Sequence, residues 1–204
     1  MSSTEEIRKQ NQRTIILLVV AFLLPVISAY IVYKNMDHGI QTKNNGVLVV
    51  PARPLDRIKL TTADHSAFTI EQLKGKWNLI YIGQGPCKQS CLDSLSKMHQ
   101  TRLAQGSDMS RVRLLYIAAD MPPPTVQEKL GRDYARLSVV SGDKAAIDAA
   151  VKLFQTADAP AVMEGHRIYM VDPLGNLMMQ YPRDVRLIGV IKDLEHLLKI
   201  SHIG

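Results

Sequence analysis

The sequence contains very little cysteine. Among its 204 residues, only Cys87 and Cys91 are of this type. A structural zinc site normally takes four ligands, so cysteines alone cannot build one here. Because the two residues stand close together and no other cysteine competes for either, they form a candidate redox or metal-binding pair. The alternative interpretation is two small, buried and inert thiols.

Long runs of a single charge sign are also absent. The chain carries 25 Lys and Arg against 19 Asp and Glu, which gives a formal net charge of +6 and a pI near 9.3. The basic residues are dispersed and do not form a tract. Nucleic-acid binding usually needs clustered basic residues, so the pattern predicts no nucleic-acid partner. A solvated surface close to anionic lipid fits the dispersed charge better.

The residues around the cysteines predict a strand, a tight turn and a helix. Trp77–Ile82 is an apolar run with β-branched and aromatic residues, typical of a buried strand. Gly83 and Gly85 permit a tight turn, and Pro86 has the φ of a first helical turn. Apolar residues then recur at near-helical spacing: Leu92, Leu95, Met98 and Leu103.

The predicted helix start has a chemical consequence for the two thiols. Cys87 is expected at the helix N-terminus, where free backbone N–H groups and the helix dipole stabilise a thiolate. Cys91 then lies one turn further on the same face. The two sulfurs could therefore either bond to each other or hold one ion between them.

A second organising feature is the uncharged run Thr14–Tyr33, which is long enough to cross a membrane as a helix. Pro25 in its middle is tolerated in lipid-embedded helices. A cleavable signal peptide would have a shorter apolar region and a small-residue cleavage site, so an uncleaved anchor is favoured. Arg8, Lys9 and Arg13 predict that the N-terminal side stays in the cytoplasm.

These features predict four segments: a cytoplasmic N-terminus (1–13), a transmembrane anchor (14–33), a linker (34–46) and an exported domain (47–204). In a Gram-negative bacterium the anchor would lie in the inner membrane and the domain in the periplasm. The periplasm is oxidising, so two closely spaced cysteines there are expected to be a redox-active or metal-binding pair.

The exported domain is predicted to alternate strands with helices. Val47–Leu60 is expected to be an edge strand or an extended lead-in, and Leu60–Trp77 a turn and a short amphipathic piece closed at Gly75. The remaining predicted elements are a helix from Cys91 to about Ala104, strand Val112–Ala118, helix Val126–Tyr134, strand Leu137–Val140, a helix capped from Ser141 and running to about Phe154, a hairpin of Arg167–Val171 with Leu177–Tyr181, and helix Val185–Ile200. This order predicts an α/β fold of the thioredoxin-like kind, with a mixed central sheet flanked by helices.

From about Leu60 to its end, the chain resembles the Sco/SenC family of copper chaperones for cytochrome c oxidase assembly. The matching motifs are Asp64-His65 with Phe68-Thr69, Leu73-Lys-Gly-Lys-Trp77, Tyr81-Ile-Gly83, Cys87-x-x-x-Cys91, Val140-Ser-Gly142-Asp143 and Ile168-Tyr-Met-Val-Asp172-Pro173-Leu-Gly175. The resemblance implies that Cys87, Cys91 and a histidine bind copper. It also implies that the thiols reduce the disulfide of the oxidase copper-site subunit, which would be the partner.

This chain differs from the family in the position of the histidine. In the family the histidine stands nine residues before the proline of the turn, and this chain has Glu164 there. The nearby histidine of this chain is His166, seven residues before Pro173. An offset of two keeps a residue on the same face of an extended strand, and a bulge could also restore the register. The same count places His166 where thioredoxin-like oxidoreductases carry a cis-proline that faces the cysteines.

Two thiolates and one imidazole are soft ligands that suit copper, particularly Cu(I). Three functions remain open from the sequence. The first is a membrane-anchored copper-binding and thiol-redox assembly factor that uses Cys87, Cys91 and His166. The second is a metal-free periplasmic thiol–disulfide oxidoreductase in which Cys87 attacks and Cys91 resolves. The third is a redox-silent scaffold, which would use the fold only for contacts with other proteins.

Overall fold

The computed structural model describes residues 2–36, 44–156, 159–201 and 203. The chain forms two compact units, one within residues 1–43 and the other within residues 44–204. Most of the predicted linker, residues 37–43, lies outside the described part.

The first unit is a single helix, α1 (Ser2–Met36). Its window Asn11–Val32 is long and apolar enough to cross a membrane, and none of that window is buried in the chain. Pro25 lies inside the helix, where the Ser28 hydroxyl donates a hydrogen bond to the Pro25 carbonyl at 3.0 Å. Hydroxyl groups of this kind help to satisfy backbone polar groups around a proline in a lipid-embedded helix. The prediction of one apolar N-terminal helix is confirmed.

The second unit contains strands and helices that alternate along the chain. Its strands are β1 (Val47–Pro54), β2 (Lys59–Thr62), β3 (Ala67–Thr69), β4 (Trp77–Gly83), β5 (Val112–Ala118), β6 (Leu137–Ser141), β7 (Ile168–Val171) and β8 (Asn176–Tyr181). Its helices are α2 (Ile70–Leu73), α3 (Gln89–Leu103), α4 (Pro124–Asp133), α5 (Lys144–Phe154) and α6 (Leu187–Ile200), with a 3₁₀ helix at Gly106–Arg111.

Among the described residues, the strands form one sheet in the order β1-β8-β7-β4-β5-β6-β2-β3. Strands β4, β5 and β6 are parallel, and β7 runs antiparallel to β4. Every residue of β4 is buried, because this strand has neighbours on both sides and helices on both faces. That position explains its continuous apolar sequence.

The two faces of the sheet support separate halves of the core. Leu79 and Tyr81 of β4 pack with residues of α3 and α6, whereas Ile80 and Ile82 pack with residues of α5. Successive side chains of a strand point to opposite faces, so one continuous apolar strand supplies both halves. The predicted thioredoxin-like fold, a mixed sheet flanked by helices, is confirmed.

Two local predictions differ in part from the structure. Part of the segment predicted as a turn forms β2 and β3, because Thr61 pairs with Ser141 across β2 and β6. The stretch that begins at Ser141 was predicted to cap α5, but Ser141 itself ends β6. Asp143 caps this helix instead, and its carboxylate accepts a hydrogen bond from the Ala146 amide at 2.7 Å.

A buried carboxylate ties the start of the second unit to its last helix. Asp193 of α6 accepts hydrogen bonds from the backbone amides of Asn45 (2.9 Å) and Gly46 (3.0 Å). The Tyr181 hydroxyl donates a third bond at 3.2 Å. Several donors satisfy this carboxylate, which burial would otherwise destabilise.

Candidate active site and metal-binding site

The cysteine loop connects the end of β4 to the start of α3. β4 ends at Gly83 and α3 begins at Gln89, with Lys88 as the N-cap residue. Cys87 therefore lies at the N-terminal end of α3, one residue before the cap. Pro86, which was expected in the first helical turn, precedes the helix. The Cys91 amide donates to the Lys88 carbonyl at 2.9 Å, which closes the first turn of the helix. The predicted strand–turn–helix order is confirmed.

The two cysteines are bonded to each other. Cys87 and Cys91 form a disulfide with their Cα atoms 5.2 Å apart. Cys91 is only 5% exposed, while Cys87 is half-buried. The more accessible sulfur is thus the one before the helix, and the buried one is inside its first turn. An accessible thiol paired with a shielded one is suited to thiol–disulfide exchange.

Close packing holds the cysteine loop against the end of β5. A Cβ at Gly85 would lie 2.4 Å from the Asp120 carbonyl oxygen, so no larger residue fits here without a backbone shift. The Tyr116 hydroxyl donates a hydrogen bond to the Gln84 carbonyl. These contacts fix the loop relative to the sheet, which gives the disulfide a defined position.

His166 lies in the loop just before β7. The amides of Glu164 and Gly165 both donate to the Ala161 carbonyl, which forms a turn before the histidine. His166 itself has φ 45°, in the left-handed region, and its carbonyl accepts a hydrogen bond from the Ser94 hydroxyl at 3.2 Å. The interpretation of His166 as a residue of an extended strand is therefore wrong, since a turn rather than strand alternation sets its direction. Backbone of this kind in a non-glycine residue is held in place by its surroundings.

Tyr81 orients the imidazole of His166. The Tyr81 hydroxyl lies 2.8 Å from His166 Nδ1, and the two rings are nearly parallel, with centroids 6.3 Å apart. Burial raises the pKa of Tyr81 to about 12, against a smaller opposing effect of the Arg183 charge. The phenol therefore stays protonated at neutral pH and keeps the hydrogen bond. A bond to one ring nitrogen fixes the ring orientation and leaves the other nitrogen, Nε2, for a ligand.

A cavity of about 320 Å³ brings these groups together. Its walls include Tyr81, Ser90, Cys91, Met163, Glu164 and His166. The structure thus places His166 and one sulfur of the disulfide on the same cavity, and it adds the carboxylate and thioether of Glu164 and Met163. Sequence analysis overlooked Tyr81 as a site residue. The available signal was the one hydroxyl-bearing ring in this largely apolar strand, two residues before the glycine where β4 ends.

The donor set fits copper once the disulfide is reduced. Within the described residues no group of three His, Cys, Asp or Glu side chains is arranged to hold a metal ion, and both sulfurs are bonded to each other. Reduction would free two thiolates beside the cavity that His166 borders. Two sulfurs and an imidazole, with a thioether nearby, are soft ligands typical of copper sites.

The chain resembles known proteins along most of its length. Residues 77–201 match the family model described as "Transmembrane-like, thioredoxin-like, C-terminal domain". A protein of Stutzerimonas stutzeri named "Putative copper-binding protein" is 25% identical over 176 residues, which cover 84% of this chain and 82% of that protein.

Solved structures show the same fold. Copper-bound ScoI of Bradyrhizobium japonicum is 26% identical with a TM-score of 0.55, and the match covers 68% of this chain and 96% of that one. Apo Sco1 of Thermus thermophilus is 19% identical with a TM-score of 0.61, over 78% of this chain and 99% of that one. The resemblance to Sco/SenC proteins is confirmed by these neighbours.

Proposed function

We propose that this chain, which belongs to the transmembrane-like, thioredoxin-like family through residues 77–201, is a membrane-anchored copper-binding and thiol-redox assembly factor for cytochrome c oxidase. The observation that carries the proposal is the cavity bordered by both His166 and Cys91, whose sulfur is bonded to that of Cys87. A redox-active sulfur pair beside an oriented imidazole supplies both ligands for copper and thiols for exchange.

Copper is the cargo in this proposal, and the chain's own residues bind and release it. Cys87 and Cys91, reduced, would supply the two sulfur ligands, and His166 would supply a nitrogen. Tyr81 would hold the imidazole in place. Binding requires deprotonated thiols and a neutral imidazole, so acid weakens it. Disulfide formation between the same sulfurs removes two ligands at once, so oxidation would release the metal.

The relatives support the proposed partner, and the apolar N-terminal helix supports the proposed location. Copper-bound Sco1 and ScoI are among the similar structures, and BsSco, another similar structure, is described as a member of the Sco family of cytochrome c oxidase assembly proteins. We therefore propose the copper-site subunit of cytochrome c oxidase as the client. The proposed layout is a cytoplasmic segment (1–13), an inner-membrane anchor (14–33), a linker (34–46) and a periplasmic domain (47–204).

A copper titration of the reduced full-length chain in detergent micelles tests the proposal. We expect one Cu(I) per chain, lost in Cys87→Ser and Cys91→Ser and weakened at least tenfold in His166→Ala. The control is His196→Ala, because His196 is exposed on α6 and does not border the cavity. Unchanged copper uptake in all three site variants would refute the copper assignment.

The unequal exposure of the two sulfurs favours a second candidate function, a metal-free thiol–disulfide oxidoreductase. The half-buried Cys87 thiolate would attack one sulfur of a client disulfide and displace the other as a thiolate. The Cys91 thiolate would then attack Cys87, release the client's second thiolate and form the Cys87–Cys91 bond. The client is reduced by two electrons and the pair is oxidised by two.

Reductase activity distinguishes this second candidate from the first. Full activity on a client disulfide without copper uptake would favour the oxidoreductase. If neither copper nor a disulfide reacts, and oxidase levels stay normal in the Cys87→Ser/Cys91→Ser double variant, the chain acts as a scaffold.

A further inference from the structure

A second cavity lies at the other end of the central sheet. It has a volume of about 360 Å³ and is formed where the parallel strands β4, β5 and β6 begin. Lys76 immediately precedes β4, Arg113 is the second residue of β5, and Arg136 immediately precedes β6. The cysteine loop follows the opposite end of β4, after Gly83. The two cavities are therefore separated by the length of the strand.

The charges around this second cavity are all positive. Its charged lining residues are Lys76, Arg102, Arg113 and Arg136, and no carboxylate is among the lining residues. Within the described ranges, none of the four takes part in an ion pair. Two hydroxyl groups, from Ser110 and Ser138, also line it. Four positively charged side chains around one cavity repel one another, and an anion bound between them would offset this repulsion.

Arg113 provides the strongest sign that a partner belongs in this cavity. Its guanidinium is partly buried, and Nη1 is shielded from solvent with no hydrogen-bond partner among the described residues. Burial lowers the pKa of this arginine, which shows that its charge is poorly compensated. A buried, unpaired donor on a charged group is costly and uncommon, so a bound anion would satisfy a group that the chain leaves unsatisfied.

The other two arginines border the cavity in different ways. Arg102 is only 9% exposed, and its Nε donates to the Val112 carbonyl at 3.0 Å. It also lies in the last turn of α3, where a cation favours the helix end, so it has a structural role as well. Arg136 has φ 71°, a left-handed conformation that an arginine adopts at a cost.

We propose that this cavity, lined by Lys76, Arg102, Arg113 and Arg136, binds a multiply charged phosphate anion. Arginine matches the geometry of phosphate with paired N–H donors, and the hydroxyls add further donors. A single carboxylate would leave most of the positive charge uncompensated, whereas inorganic phosphate or a phosphomonoester carries more than one negative charge. The volume is in the range of small-molecule sites. The phosphate could belong to a soluble metabolite or to a lipid headgroup.

The only tryptophan of the chain provides a built-in probe. Trp77 follows Lys76 directly and pairs with Val112, another residue of the cavity wall. Titration of the full-length chain in detergent micelles with inorganic phosphate and then pyrophosphate should change Trp77 fluorescence in a saturable way. Sodium chloride at the same ionic strength controls for screening. In a second arm, the chain in nanodiscs that contain phosphatidic acid, a lipid with a phosphomonoester headgroup, is compared with the chain in phosphatidylcholine nanodiscs.

Variants decide whether the response comes from this cavity. We expect Arg113→Gln and Arg136→Gln each to weaken binding about tenfold or more, because each removes charge-assisted hydrogen bonds. Arg57→Gln is the control, since Arg57 is exposed and away from the cavity wall and its change removes the same charge. Because Arg136 is exposed in a loop, its variant keeps the test valid if Arg113→Gln does not fold.

Each outcome bears directly on the proposal. A response to phosphate or pyrophosphate that both cavity variants weaken supports a soluble ligand. A response confined to phosphatidic acid nanodiscs, and weakened by the same variants, supports a lipid headgroup. No saturable response in either arm, a response that chloride reproduces, or equal responses in Arg57→Gln and the cavity variants would overturn the proposal.

Discussion

The hydrogen bond between Tyr81 and His166 allows a quantitative test of the candidate site. The substitution Tyr81→Phe removes one hydroxyl and keeps the buried ring. In the structure that hydroxyl lies 2.8 Å from His166 Nδ1 and belongs to a side chain only 1% exposed. The substitution should therefore disturb the imidazole more than the core.

The expected cost follows from the bond and its surroundings. A hydrogen bond between neutral groups contributes about 1 kcal/mol net to stability. His166 is half-buried, so water can partly replace the lost partner, and a larger penalty is not expected. For a domain of this size a loss of about 1 kcal/mol lowers Tm by roughly 2–4 °C.

A double-mutant cycle isolates the contact. The free energy of unfolding is measured by urea titration of the reduced full-length chain in micelles, with Trp77 fluorescence as the signal. The variants are Tyr81→Phe, His166→Ala and the double substitution. The strain that alanine adds at φ 45° is present in both His166 variants and cancels. We expect a coupling energy of about 1 kcal/mol.

Copper affinity forms the second arm of this test, which depends on the proposed function. Loss of a residue that orients a metal-binding histidine typically weakens the metal site 10- to 100-fold, so Tyr81→Phe should fall within about that range. Tyr169→Phe is the matched control, because Tyr169 is equally buried but packs on the opposite face against Phe154. A coupling energy below about 0.3 kcal/mol would refute the orienting role of Tyr81, whatever the copper result.

Three further predictions concern the supporting structure. Asp193→Ala should destabilise the second unit by about 3 kcal/mol in urea unfolding, because it leaves two backbone amides without their acceptor; a loss below about 1 kcal/mol would contradict this. Gly83→Ala should lower the free energy of unfolding by about 1–3 kcal/mol, since the added Cβ would lie 2.8 Å from the Tyr81 ring. In the control Gly131→Ala the added Cβ meets no atom within 4 Å, so this variant should be neutral or stabilising in the same assay. Burial raises the pKa of Tyr81 and of Tyr169 to about 12 from 10.0, so the folded chain favours the neutral phenols. The stabilisation that the neutral phenols give to the fold is therefore complete below about pH 10 and is lost as the pH rises towards 12. Tyrosinate absorbance should therefore appear together with loss of circular dichroism, and independent titration of the tyrosines in a folded chain would contradict this.

The central part of the fold could be predicted because local and tertiary preferences agree there. β4 and β5 are apolar at nearly every position, and this pattern suits a parallel strand covered on both faces. The short strands β2 and β3 were missed because their sequences are polar and turn-rich. β2 is a strand because it pairs with β6, a contact between residues about 80 positions apart, and β3 in turn pairs with β2.

The sequence was enough to predict the cysteine pair of the candidate site, but not the positions of His166 and Tyr81 around it. Two isolated cysteines next to a glycine-rich turn identify the pair from sequence alone. The position of His166 depends on a turn held by the Ala161 carbonyl and on a left-handed residue, neither of which has a clear sequence signal. The role of Tyr81 depends on register, since Tyr81 pairs with Ile168, two residues after His166, and only the folded sheet reveals that proximity.

The separation of the two cavities along β4 has a consequence for how they could work together. A phosphate ion at the start of the strand and a metal beyond its end would not compete for space, so both could be held at once. An influence of one on the other could pass through β4 and β5, which are paired from Trp77–Val112 to Gly83–Ala118, or along α3, which carries Cys91 in its first turn and Arg102 in its last. Such communication would appear as a phosphate-dependent change in the rate of metal transfer, even though the two ligands never touch.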